Sequence, residues 1–81
     1  MNNLQLIKGS FSQTEALELL TELVHVKIKF HENKIEKSHH EEDIKMREKR
    51  IKHLQQEFYE MKQVILSKGK TCNMESEIKI S

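Results

Sequence analysis

In the second half of the chain the apolar residues Ile44, Ile51, Leu54, Phe58, Met61 and Ile65 recur at helical spacing, which keeps them on one side of a helix. The first half carries a matching row, Leu17, Leu20, Val24, Ile28 and Ile35, and most positions between are Glu, Lys, Gln or His. On one continuous helix the two rows would lie about 150° apart. A straight rod would turn them to opposite sides, whereas a hairpin bent near residues 38–41 turns them toward each other. Pairing Ile35 with Ile44, Ile28 with Ile51, Val24 with Leu54, Leu20 with Phe58 and Leu17 with Met61 keeps the total of the two position numbers nearly constant, as antiparallel helices in close contact require. The predicted fold class is all-α: an antiparallel two-helix hairpin with helices over about 13–37 and 39–68.

Local signals set the ends of those helices. Ser12 and Glu15 have the spacing of a capping box, with Phe11 and Ala16 placed to staple the entry. Ser38 and Glu41 repeat the box, Glu42 and Asp43 follow where acids suit a helix start, and Lys34 and Lys37 precede it where bases suit a helix end. Gly69 is placed to close the second helix with a left-handed cap. Proline is absent, and the only glycines are Gly9 and Gly69, so nothing between them breaks a helix outright. Glu41 with Lys45, Asp43 with Arg47, and Glu48 with Lys52 add i,i+4 pairs worth about 0.3 kcal/mol each.

Ala16, Leu19, Leu23, Val26 and Phe30 form a second apolar row on the first helix, about 120° around from the first. The second helix cannot cover both rows, and small cores below about 70–80 residues seldom supply more than about 3–5 kcal/mol. These two points predict a homodimer, two hairpins packing into a four-helix bundle with the second row at the interface. An alternative cover is the extended N-terminal segment 1–11, through Leu4, Leu6, Ile7 and Phe11. The polar segment 69–81 is expected to form a flexible tail. Glu77-Ile78-Lys79-Ile80 alternates like a strand and would meet Leu4 to Ile7 at the open end of the hairpin, but an isolated two-stranded ribbon is marginal.

The chain has 81 residues, one third of them charged, with a formal net charge of +1. That length holds one small domain, and the near balance of charge argues against a protein built on the nucleic-acid backbone. Lys27, Lys29, Lys34, Lys37, Lys45, Arg47, Lys49, Arg50 and Lys52 are the only basic cluster, and Glu32, Glu36 and Glu48 interrupt it. The lone Cys72 has no redox or metal spacing around it, and Met1 to Lys8 lack the core of a signal peptide. No apolar run approaches the roughly 20 residues that cross a bilayer. A cytoplasmic setting follows as the expectation, with no membrane partner.

Five histidines invite a metal reading, since His39 and His40 sit with Glu36, Glu41, Glu42 and Asp43 at the bend. No two histidines are three or four residues apart, however, so the cluster reads as a solvated turn with no metal and no cofactor. His31 shares a face with Ile28 and Ile35, opposite Arg47 and Ile51, and is expected to pack as a neutral interior histidine. Tyr59 adjoins the core position Phe58 and is expected to turn outward or toward a dimer partner. The chain has no glycine-rich phosphate loop, nucleophile elbow or acid/base pair, which predicts a protein that is not an enzyme.

The run Gly9-Ser10-Phe11-Ser12 into Glu15-Ala16, then Lys27-Ile28-Lys29-Phe30-His31 and Lys34-Ile35, resembles short uncharacterised bacterial helical-hairpin proteins. It covers roughly residues 4–66 and is made of a cap, a staple and an apolar face, so it implies a small bacterial helical protein and no activity. The sequence thus predicts a small non-catalytic interaction protein, an adaptor, chaperone-like or regulatory module acting through an apolar helix face on itself or an unidentified protein. The alternative is a small nucleic-acid-associated regulator using the Lys/Arg-rich helix faces.

Overall fold

The computed structural model describes residues 2–81. Along the chain it runs β1 (Asn2–Ser12), α1 (Gln13–Lys37), α2 (Glu41–Ser67) and β2 (Thr71–Ile80). The two helices form the hairpin, and β1 and β2 pair antiparallel at its open end. The expected all-α class is therefore wrong, and so is the four-helix bundle: the fold combines a helical hairpin with a two-stranded sheet. Segment 69–81 is not a flexible tail either, because Thr71 to Ile80 is strand along its whole length.

The ribbon is long because its two strands are amphipathic in the same sense. Cys72, Met74, Ser76, Ile78 and Ile80 share one face of β2, and Phe11, Gly9, Ile7, Leu4 and Asn2 stand opposite them. Leu4 and Ile7 are three residues apart and would fall on opposite faces of a regular strand. A bulge at Leu6, between Gln5 and Ile7, restores them to one face. Gln5 Nε2 supports the irregularity by donating to the carbonyls of Ile7 at 3.1 Å and Ser76 at 3.3 Å. The other face pairs Lys8 with Glu75, Gln5 with Glu77 and Asn3 with Lys79, all suited to water.

Packing explains why this ribbon persists where a bare one would be marginal. The near half of its apolar face is covered, with Ile7 buried and Phe11, Cys72, Met74 and Ser76 half-buried. The far half is not, since Leu4 is 55% and Ile80 65% exposed. Helices of this length span about 40 Å and a strand of this length about 35 Å. Laid end to end they would far exceed the 46 × 33 × 14 Å extents of the Cα trace, so the ribbon turns aside from the helix axes.

Ser12 caps α1 as a complete box: the Glu15 amide donates to Ser12 Oγ at 3.1 Å, and the Ser12 amide donates to Glu15 Oε1 at 2.9 Å. Hydrogen bonding from Ser12 to the Glu15 carboxyl, from its backbone amide first and its hydroxyl second, holds that carboxyl below its ordinary pKa. The second box does not form. Ser38 instead ends α1, its amide donating to the Ile35 carbonyl at 3.1 Å, and its hydroxyl accepts from the His40 amide at 3.2 Å. With Ser38 used in the turn, His40 becomes the N-cap of α2 without a side-chain bond, and the helix starts at Glu41 rather than 39. Glu41 then pairs with Lys45 at 3.5 Å instead of closing a box. At the other end Lys68 caps α2 and Gly69 follows at φ +85°, the left-handed conformation glycine accepts without strain.

Between the helices, Leu17, Leu20, Val24, Ile28 and Ile35 of α1 and Ile44, Ile51, Leu54 and Phe58 of α2 are half-buried. Ile65 is buried, and Met61 stands at the margin of the row, 49% exposed. Among the described residues few are fully covered: Ile7, Ala16, His31 and Ile65 are those that water scarcely reaches. Gln13 ties the two ends together, its backbone amide donating to the Lys70 carbonyl at 3.1 Å and its side chain to the Leu66 carbonyl at 3.2 Å.

Candidate interaction surface

The second apolar row of α1 is covered unevenly. Ala16, next to the entry of the sheet, has no exposed surface. Leu19 and Leu23 are half-buried. Val26 and Phe30 are 65% and 55% exposed. The first turns of this face thus lie against the rest of the chain, while its last two members project into solvent.

Charges flank the row with opposite sign along its length. Phe11 and Leu19 line a shallow depression whose rim is Glu15, Glu18 and Glu22. Farther along, Lys34 places Nζ 5.6 Å from the centre of the Phe30 ring, a cation–π contact. Phe30 also meets His31 edge to face, with ring centres 5.9 Å apart at 73°. The exposed aromatic thus has two neighbours on its own helix, Lys34 and His31.

Behind it, His31 is the one buried polar side chain among the described residues, 6% exposed, and its Nδ1 lies 3.1 Å from Arg47 Nη1. Burial first, and then the positive charges of Arg47, Arg50 and Lys27, lower its pKa below the ordinary histidine value. These bases converge on His31 from both helices, but Glu57 interrupts the surface beside His53, which it meets at 3.2 Å. His39 and His40 are exposed at the bend. Among the described residues no three His, Cys, Asp or Glu side chains come close enough together to hold a metal ion. Among the same residues no helix is long and apolar enough to cross a membrane.

A second apolar depression, about 300 Å³, opens where β2 leaves α2, lined chiefly by Leu20, Met61, Val64, Ile65, Cys72 and Met74. It arises because Cys72 and Met74 face the last turns of α2 without filling the space beside them. Sequence patterning overlooked this cleft, as its lining depends on strand β2. It also overlooked Lys62, which is half-buried with Nζ 5.5 Å from the centre of the Phe58 ring and shields that core aromatic. No protein-family model, curated protein or solved structure matches this chain.

Proposed function

We propose that the protein is a non-catalytic interaction module that recruits a protein partner through the apolar face of α1. Val26 and Phe30, exposed beside half-buried Leu19 and Leu23, are the observation that carries this reading. Large apolar side chains aligned on one helix face gain most when a second apolar surface removes them from water, about 25 cal/mol per Å² of apolar area. The acidic rim at Glu15, Glu18 and Glu22 and the bases at Lys27, Lys29 and Lys34 favour a partner whose charges run in the opposite order. A cytoplasmic setting suits a chain whose single thiol is Cys72.

The test is affinity capture from the native cell with the wild-type chain and with V26E/F30E. Both positions are exposed in the free protein, so the double variant should keep wild-type helicity. Loss of one captured protein in the variant alone supports the proposal. An identical captured set for both chains would sink it.

A further inference from the structure

The ribbon carries an open pairing edge on β2. The Ser76 carbonyl turns toward β1, where Gln5 Nε2 donates to it. Alternation then turns the peptide groups of Glu75, Glu77 and Lys79 to the outer side. Outside the ladder and the helices, backbone bonds among the described residues occur only at the chain reversals, such as Gln13 to Lys70 and Ser38 to Ile35. Among the described residues no backbone hydrogen bond joins Thr71–Ile80 to a helix, and Glu75 and residues 77–80 are exposed.

The two edges differ in how far they resist a further strand. β1 carries the bulge at Leu6 and Gly9 at φ +143°, features that spoil an edge for pairing. β2 has no bulge, glycine or proline across its ten residues.

We infer that this edge is an interface between two copies of the chain, whose β2 strands pair antiparallel about Ile78 to make a four-stranded sheet ordered β1-β2-β2-β1. Charge selects both the occupant and the register. To continue the apolar face, even-numbered residues must oppose even-numbered ones. Centring on Ile78 sets Glu77 opposite Lys79 of the second copy, twice by symmetry, and opposes no like charges. Centring on Ser76 opposes Glu75 to Glu77, and centring on Glu75, Glu77 or Lys79 sets that residue against itself. Registers nearer Thr71 bring no oppositely charged residues together. The outward peptide groups of Glu77 and Lys79 are also those that exchange hydrogen bonds in the Ile78 register. Pairing moves Ile78 and Ile80, 45% and 65% exposed, from the margin of a ribbon to the middle of a sheet.

Sedimentation of the full chain, E77K, K79E and an equimolar mixture of the two variants tests the interface. The wild type should form a dimer that dissociates on dilution. Each variant alone opposes like charges and should dimerise about ten-fold more weakly or worse. The mixture should recover the dimer, because lysines on one chain meet glutamates on the other. Recovery between chains cannot come from repair of either fold. Concentrating the wild type should also slow amide exchange at Glu77 and Lys79, while V26E/F30E should dimerise as the wild type does, since the α1 face plays no part. A wild type that stays monomeric at high micromolar concentration, single variants that associate like it, or a mixture without recovery would overturn the inference.

Discussion

Arg47 Nη1 lies 3.1 Å from His31 Nδ1 across the two helices. A guanidinium only donates, so the imidazole accepts through Nδ1 and carries its proton on Nε2, an assignment that follows from the partner. A protonated His31 would lose that bond and stand as a buried cation beside Arg47, Arg50 and Lys27.

Folding stability should therefore depend on pH through His31. Its folded pKa is lowered, so near the unfolded value of about 6.5 the unfolded chain binds more protons than the folded one. The contribution is fully present above that value and is lost as pH falls through it toward the folded pKa. Urea midpoints from pH 8 to pH 5 should fall for the wild type. The fall should be shallower in His31→Gln, whose amide also accepts from Arg47. Equal slopes in the two proteins would contradict the account.

Gln13 occupies the first helical position, where proline is ordinarily welcome because the amide there has no helical partner. Here that amide is used, donating to Lys70 across the mouth of the hairpin. Gln13→Ala removes the side-chain bond to Leu66 and should lower stability by about 1 kcal/mol. Gln13→Pro should lower it further instead of proving neutral, as chemical denaturation would show.

Deleting Leu6 should leave the ladder in register. Gln5 already pairs with Glu77 and Ile7 with Ser76, so excising the bulged residue joins two correctly paired halves. Inserting an alanine between Asn73 and Met74 should instead turn one half of the apolar face outward. Circular dichroism and amide exchange should show strand retained in the first variant and reduced in the second. The same exchange loss in both would refute it.

The parts of this fold that could be read from sequence are those fixed by nearby residues or by helical phase. Ser12 and Glu15 settle the start of α1 within one turn, and the rows from Leu17 and Ile44 place the chain reversal. β1 was obscured because its bulge makes Leu4, Leu6 and Ile7 look aperiodic, and β2 because its partner lies at the other end of the chain. Pairing across such a separation leaves no local trace beyond alternation, and alternation was clear only from Glu77 to Ile80. The Ser38 to Glu41 spacing misled because the same serine can close a turn or open a helix, and here the turn at His40 takes it. On the α1 face, Ala16 at the entry of the sheet is buried while Val26 and Phe30, about three to four turns on, are exposed, and the all-α expectation left the sheet out.

The ladder that joins Asn2 to Ile80 also determines how the protein gives way under load. Tension applied to the two strand ends pulls across the ladder, so its hydrogen bonds open one after another from the free end instead of sharing the force. The tear then reaches Gln13 and Lys70 and enters the helical hairpin from its mouth. Mechanically the molecule is a zipper closed at Ser38 to His40, yielding at low force in small steps.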